Sequence, residues 1–181
     1  MNKKLSVIGY RLSVIRILLA ISVFSVLVAG LGGCIYRLGT TLPPGVYSVH
    51  VPTFVNQCRE PLVETETTGA AIQEFQKDGT LRIADADHAD AILNVTLVDY
   101  KLEPLRYEKD DAKTAKEYRL SITADLVFER TQTNQVLVKK RVVGESTFVP
   151  AGDITSSKRE ALPAAARDLA HNIVESVVEY W

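Results

Sequence analysis

The chain has few of the residues that build catalytic or metal centres. Its 181 residues include two cysteines, three histidines, one methionine and one tryptophan. None of His50, His88 and His171 has a second histidine, cysteine or carboxylate at metal-ligand spacing, so each is interpreted as structural. No nucleophile elbow and no paired Cys/His motif occurs. The sequence therefore predicts a protein that is not an enzyme, with no metal site and no cofactor.

Two further patterns, for a calcium loop and for a phosphate-binding loop, are also incomplete. Asp85, Asp87 and Asp90 alternate as in a calcium loop, but the glycine and the distal glutamate of such a loop are missing. Solvated acids in a turn explain them better. The only glycine cluster lies at residues 30–33, within the N-terminal segment, so no phosphate-binding loop remains in the rest of the chain.

A strong excess of either charge is also absent. The whole chain has 21 basic and 22 acidic residues. Proteins that bind nucleic acid need a basic surface to neutralise phosphates. The balance therefore argues against a nucleic-acid partner.

The long apolar run of the sequence lies near the N-terminus. Residues 1–33 have four basic residues and no acidic one, and they are apolar from Ile17 to Leu31. Leu31-Gly32-Gly33-Cys34 then places small residues before a cysteine, as a lipoprotein signal peptidase requires. The alternative is a single transmembrane anchor, because the run is near the lower length limit for spanning a bilayer. We favour a lipoprotein signal peptide over residues 1–33.

Cleavage there would leave Cys34 as a lipidated N-terminus. Acyl chains on Cys34 would hold the protein on a membrane. Ile35 stands where an aspartate would indicate retention at the inner membrane, so the outer membrane is favoured. Without the four basic residues of the signal, 17 basic residues face 22 acidic ones. Cys58 then lacks an intramolecular partner and is interpreted as a free, semi-buried thiol, the alternative being a disulfide to another chain.

The remaining chain is predicted to be a tether, residues 34–45, followed by one periplasmic domain, residues 46–181, without a membrane-spanning segment. Alternation predicts a first strand at Val46 to Val51. Helical spacing follows from Pro61 to Lys77, with Asp78-Gly79 as its stop. A short strand is predicted at residues 81–83 and a turn at residues 85–90.

Three long strands and a helix complete the predicted domain. Period-2 alternation covers residues 91–107, 118–128 and 136–148, with a hairpin loop at 131–135 and a register slip near Lys139-Lys140. A helix ends the chain, with Ser157 and Glu160 as its capping box and Pro163 near its first turns. The predicted fold is α+β, a two-layer sandwich whose mostly antiparallel sheet of about four to five strands has two helices on one face.

Basic residues concentrate in the last strand and where the preceding long strands meet their loop. Lys139, Lys140 and Arg141 lie in the last strand, and Lys101, Arg106 and Lys109 lie where the earlier long strands meet their loop. Convergence at one end of the sheet would allow them to bind phosphates. The alternative is an edge strand that lysines protect from aggregation.

From Cys34 almost to Trp181 the chain resembles the LptE family, the lipoproteins of lipopolysaccharide assembly at the outer membrane. The order and spacing of several short motifs carry the resemblance: Leu42-Pro43-Pro44-Gly45, Val51-Pro52-Thr53-Phe54 with Asn56, Glu60-Pro61-Leu62, Phe75 with Asp78-Gly79, Ala89-Asp90-Ala91, Tyr100 with Pro104-Leu105 and Tyr107, Glu117-Tyr118-Arg119-Leu120, and Val136-Leu137.

The resemblance implies a non-catalytic partner that plugs the β-barrel LptD, helps it assemble and helps deliver lipopolysaccharide to the outer leaflet. Under this hypothesis Lys139, Lys140, Arg141 and Arg106 are candidate ligands of lipopolysaccharide phosphates. The alternative hypothesis is a stand-alone lipid- or glycan-binding lipoprotein, an accessory of an envelope enzyme. In both, the protein is anchored to the membrane through lipid on Cys34.

Overall fold

A computed structural model describes residues 42–107 and 115–179, which belong to one compact unit, Thr40–Trp181. The predicted signal peptide, Cys34, most of the tether and Lys109 lie outside the described residues, and the predictions made for them stay predictions. Neither helix in the described ranges combines the length and apolar character that crossing a bilayer requires.

The elements are, in chain order, β1 (Ser48–His50), β2 (Val55–Asn56), α1 (Val63–Asp78), β3 (Arg82–Ile83), β4 (Ala91–Tyr107), β5 (Ala115–Arg130), β6 (Val136–Phe148) and α2 (Ile154–Val178). They form one six-stranded sheet of order β3-β1-β4-β5-β6, and β2 also pairs with β4. Strands β4, β5 and β6 pair antiparallel over most of their length. The short strands β1, β2 and β3 add in parallel.

The predicted α+β sandwich is confirmed, with a mixed sheet of six strands in place of the four to five expected. The sixth strand is β2, whose two residues are too few to show alternation in the sequence, whereas β3 lies within the short strand predicted at residues 81–83. Parallel neighbours need a crossover connection, and for β1 and β3 the segment between them contains α1.

Both helices cover one face of the sheet. On β5, Leu120, Ile122, Leu126 and Phe128 are completely buried toward them, while the alternate residues form a second face, called here the open face. The helices run side by side in the same direction. The first turns of α1 lie beside Pro163 and Arg167, and its last turn lies beside His171 and Val174. The core therefore fills the space between helices and sheet.

The start of α2 differs from its prediction. The helix begins at Ile154, and Asp153 is its N-cap, because the Asp153 carboxylate accepts a hydrogen bond from the Ser156 N–H at 3.1 Å. Ser157, predicted as the cap, lies inside the helix, where its buried hydroxyl donates to the Asp153 carbonyl. Pro163 is accommodated two turns in. The prediction was wrong because Asp153 can cap as well as Ser157, and spacing alone does not choose between them.

The register slip of β6 also lies elsewhere than predicted. Phe128 pairs with Val138 and Glu129 with Val136, so Leu137 is the extra residue, and pairing continues regularly through Lys139-Lys140. Leu137 and Val138 are both buried. A bulge turns two consecutive side chains to the same side, which here allows both apolar residues to reach the core.

Helix α2 contacts β6 closely at Gly144. A Cβ added at Gly144 would lie 2.4 Å from both the Cβ and the backbone N of Leu169. On either side of this contact, Asn172 donates to the Val143 carbonyl at 2.8 Å and Asp168 accepts from the Glu145 N–H at 2.8 Å. Side chains of α2 therefore form hydrogen bonds with the backbone in the middle of β6, an edge strand that has no neighbouring strand on this side among the described residues.

Candidate functional site

The three consecutive basic residues of β6 do not share one face. Lys139 pairs with Val127 and Arg141 with Asp125, which places both on the open face. Lys140 pairs with Leu126 and lies on the face that the helices cover, at its uncovered margin. Alternation along a strand requires this separation, because successive side chains point to opposite faces.

Arg141 is occupied by an ion pair. Its Nε and a terminal guanidinium nitrogen donate to the two Asp125 carboxylate oxygens at 2.6 and 2.7 Å. These hydrogen bonds lower the pKa of Asp125 and raise the pKa of Arg141. Charge neutralisation by Asp125 leaves Arg141 little affinity for a further anion.

Lys139 and Lys140 are the available cations of this segment. Both are exposed, and neither makes an ion pair with any residue in 42–107 or 115–179. Together with Asp125, Leu126, Val127 and Arg141 they line a depression of about 320 Å³. Asp125 adds a negative charge to the lining, so only the two lysines have charge to offer a phosphate, and they approach from opposite faces of β6.

Arg106 lies far from this segment, contrary to the predicted convergence. It pairs across the sheet with Glu117 and contacts its carboxylate at 3.3 Å. Lys139 instead lies opposite Val127, ten residues further along β5. Ten strand residues span about 33 Å. Antiparallel pairing thus puts Arg106 and the lysines at opposite ends of the sheet, and one ligand phosphate cannot contact both.

The loop between β2 and α1 has a strained backbone that the sequence did not reveal. Arg59 and Leu62 have φ values of 63° and 67°, in the left-handed region that non-glycine residues rarely adopt. Leu62 occupies the N-cap position of α1 without a side-chain cap and is 70% exposed. Such strain costs of order 1–3 kcal/mol per residue and persists only where neighbours hold it in place.

The Asn56 side chain makes hydrogen bonds within this loop and to the start of α1. Its amide donates to the Glu60 carbonyl and to the Glu64 carboxylate, both at 2.7 Å, and its oxygen accepts from the Cys58 N–H at 3.1 Å. Cys58 is partly buried and forms no disulfide with a described residue, and burial raises the pKa of its thiol. These contacts connect β2, the loop and the first turn of α1.

A second set of contacts joins the loop to α2. Glu60 binds Lys158 at 2.8 Å, and the Lys158 ammonium lies 5.4 Å from the ring centre of Tyr100. Burial, with the nearby Glu60 and Cys58, raises the pKa of the Tyr100 hydroxyl, which therefore stays neutral. The ion pair and the cation–π contact fix the loop against the helix layer.

Asp90 has a structural role at the end of the sheet where β4 begins and β5 ends. Its carboxylate accepts from the Ser48 hydroxyl at 2.8 Å and from the backbone N–H groups of Tyr47 and Ser48 at 3.0 Å. These bonds lower the pKa of Asp90, the Ser48 hydroxyl contributing most. Nearby, Arg130 donates to the Pro44 carbonyl at 3.3 Å. The chain from the tether therefore enters the fold at this end.

Two of the three histidines make side-chain contacts of a structural kind. His50 Nδ1 lies 3.1 Å from the Ala84 carbonyl, and His171 Nδ1 lies 3.4 Å from the Glu74 carboxylate. Within the described residues, no three histidine, cysteine or acidic side chains cluster as metal ligands.

Solved structures share this fold at low sequence identity. A hypothetical protein from Chlamydia trachomatis is 10% identical with a TM-score of 0.55, and the match covers 75% of this chain and 97% of that one. A protein from Xanthomonas campestris is 12% identical with a TM-score of 0.50 and covers 78% and 93%. At these identities the likeness shows the fold alone.

The sequence itself identifies the family. No curated protein matches the chain significantly. The family model described as LptE, lipopolysaccharide-assembly, matches residues 47–177, from the first strand to the end of α2. This range takes in every helix and strand of the described fold except the last residue of α2. The chain therefore belongs to the LptE family of lipopolysaccharide-assembly proteins.

Proposed function

We propose that this protein is an outer-membrane lipoprotein that plugs and helps assemble an LptD-like β-barrel, and that it takes part in inserting lipopolysaccharide into the outer leaflet. The family match over residues 47–177 carries the proposal. The protein acts as a non-catalytic subunit and needs neither metal nor cofactor.

The dimensions of the sheet support a plug. Strand β4 has 17 residues, which extend over about 50 Å. A bilayer with its headgroups is about 40–45 Å thick. A rigid sheet of this length, covered by two helices, can fill the lumen of a wide barrel along most of its depth.

The attachment to the membrane follows from the sequence. Residues 1–33 serve as the signal peptide, Cys34 carries the lipid, and residues 34–45 connect it to the periplasmic domain, residues 46–181. Seven residues lie between Cys34 and the first described residue, Leu42, so the eight steps of backbone extend at most about 28 Å. The end of the sheet near Pro44 is thereby held close to the membrane.

Contact with lipopolysaccharide is local in this proposal. Lys139 and Lys140 are its phosphate ligands, since both are exposed and free of ion pairs with described residues. Arg141 contributes less because Asp125 binds it in two places. Arg106 lies at the other end of the sheet and would contact a different part of the ligand or of the barrel.

Affinity purification from gently solubilised outer membranes tests the proposal. We expect a large β-barrel to be recovered in about equal amount with the lipidated protein and to be identified by mass. Recovery of the free monomer alone would contradict the plug function. Replacing Cys34 with alanine should abolish the lipid, which mass measurement of the purified protein detects directly.

A second candidate function is a stand-alone lipid- or glycan-binding lipoprotein. The depression beside the two exposed lysines favours it, because residues of this chain line it without any contribution from a barrel. It predicts that lipopolysaccharide binds without a barrel and that the double variant Lys139→Glu, Lys140→Glu loses this binding while its thermal unfolding is unchanged. Unaltered binding by the double variant would leave the lysines as protection of the strand edge.

A further inference from the structure

The edge of the sheet at β6 is only partly paired. Strand β6 is the last strand of the sheet, and in the ranges 42–107 and 115–179 no further strand lies beside it. Helix α2 bonds this edge at two residues: Asn172 donates to the Val143 carbonyl, and Asp168 accepts from the Glu145 N–H. These two bonds show which backbone groups of β6 point away from β5.

Alternation extends this assignment along the strand. In an antiparallel ladder, residues whose N–H and C=O point toward the neighbouring strand alternate with residues whose groups point away from it. Arg141 and Lys139 lie two and four residues before Val143 in regular pairing, so their backbone groups also point away from β5. Within the described residues, no hydrogen bond reaches the outward N–H or C=O of either residue.

This unpaired stretch, residues 139–142, is called here the free edge. Lys139, Lys140 and Arg141 are all exposed, whereas Val142 is buried against the helices. From Lys139 to Val143, where the bonds from α2 begin, the strand extends about 13 Å. An exposed edge with unpaired backbone groups is a template for the addition of another strand.

The charges of the free edge select the kind of strand that it can bind. Lys139 lies on the open face and Lys140 on the opposite face, and neither makes an ion pair with a described residue. A single phosphate group meets these two side chains from opposite sides of β6. Consecutive residues of an added strand also alternate between the faces, so two consecutive acids place one carboxylate beside each lysine.

A second copy of this chain is a poor occupant of the free edge. Two such edges, paired antiparallel about Lys140, would bring the basic residues 139–141 of both copies together. Like charges directly opposite each other destabilise a strand pair. Lysines on an edge strand thus prevent self-association, and the same lysines attract a strand of opposite charge.

We propose that the free edge binds an extended acidic segment of another protein by strand addition. Main-chain hydrogen bonds form at Lys139 and Arg141, and ion pairs form at Lys139 and Lys140. In this mode of recognition the main chain provides affinity and the alternating side chains provide specificity. The interaction goes beyond the proposed function and does not require the barrel. Lipopolysaccharide phosphates use the lysine side chains alone, so they compete with the acidic segment.

Amide hydrogen exchange of the lipidated full-length protein in detergent tests the proposal. The probe is a synthetic nine-residue peptide with two consecutive glutamates between threonines and valines, added in excess. We expect the N–H groups of Lys139 and Arg141 to exchange at least ten-fold more slowly with the peptide. Those of Lys140 and Val142, which point toward β5, should change less than two-fold. Equal slowing at all four residues, or none at Lys139 and Arg141, would overturn strand addition.

Two substitutions at position 139 separate the backbone contribution from the charge. Lys139→Gln removes the charge and keeps the outward N–H, whereas Lys139→Pro removes both. Proline is tolerated on an edge strand where the N–H faces solvent, and thermal unfolding checks that both variants fold. In calorimetric titration we expect Lys139→Gln to weaken binding of the peptide about three-fold and Lys139→Pro at least ten-fold. Equal binding by the two variants would overturn the main-chain contact.

A methylated peptide tests the same hydrogen bonds from the side of the partner, with the wild-type protein. N-methylation of alternate residues removes the donors along one edge of the peptide and leaves its glutamates unchanged. Of the two peptides methylated in alternate phases, one should bind at least ten-fold more weakly than the unmodified peptide. Unchanged binding of both would show that the lysines attract the glutamates without strand addition, and the proposal would be wrong.

Discussion

Replacing Gly144 with alanine tests the closest contact of the fold. The added Cβ would lie 2.4 Å from the Cβ and N of Leu169 and 2.5 Å from its Cα. Two of these atoms belong to the helix backbone, so rotation of a side chain cannot relieve the overlap. Helix α2 must move away from β6 by about 1 Å to restore ordinary contact distances.

The cost follows from packing and from the hydrogen bonds beside the contact. Overpacking of a core typically costs about 1–3 kcal/mol. Moving α2 also stretches the bonds of Asn172 to the Val143 carbonyl and of Asp168 to the Glu145 N–H, each with a net contribution of about 0.5–1.5 kcal/mol. We therefore expect Gly144→Ala to lower the free energy of unfolding by about 2–6 kcal/mol.

Gly69→Ala is the matched control. Gly69 lies inside α1, and a Cβ added there has no atom within 4 Å. Alanine is the better helix former, so this variant should gain about 0.5–1 kcal/mol. Both changes can be measured by urea denaturation of residues 40–181, which form a separate compact unit, with circular dichroism as the signal. A Gly144→Ala midpoint equal to that of the wild type, with the same slope, would refute the close approach of α2.

Three further predictions concern single contacts. Asp90→Asn should cost about 1–3 kcal/mol at pH 7, because its carboxylate accepts three hydrogen bonds. Those bonds depress the folded-state pKa of Asp90 below its unfolded value. Their contribution to stability is therefore present above about pH 4 and is lost as the pH falls through the folded pKa. A stability difference between wild type and variant that stays constant in denaturation curves down to about pH 2 would contradict this. Asp153→Ala should lower stability by about 1 kcal/mol in thermal unfolding, because α2 loses its N-cap. An unchanged midpoint would show that another residue caps the helix. Leu62→Asn should raise stability by about 1 kcal/mol, since asparagine tolerates the left-handed backbone better; a loss in the same denaturation assay would show that the Leu62 side chain itself stabilises the loop.

The candidate ligand site shows where sequence reasoning reached its limit. The sequence placed Lys139, Lys140 and Arg141 in one strand correctly, but it could not tell that Arg106 lies about 33 Å away. Strand register decides such distances, and residues far apart in the chain set it. The pairing of Arg141 with Asp125 was hidden for the same reason, because the two lie sixteen residues apart on different strands.

Short-range patterns made most of the fold predictable. Strict alternation on β5 and helical spacing on both helices report which side chains are buried, because burial on one face imposes a period that neighbours in the chain share. The family resemblance needed no structure either, since it depends on the order of short motifs. These features gave the two-layer α+β sandwich, its helices and its long strands.

The tertiary structure alone decided what depends on contacts between distant segments. The two-residue strand β2 exists only because β4 offers it a partner, and Gly144 matters only because α2 crosses it. The row of Pro104, Tyr118 and Phe148 across three strands likewise forms only when β4, β5 and β6 come into register. A periodic sequence determines local structure through backbone geometry, whereas register, crossing points and uncovered surface follow from the packing of the whole chain.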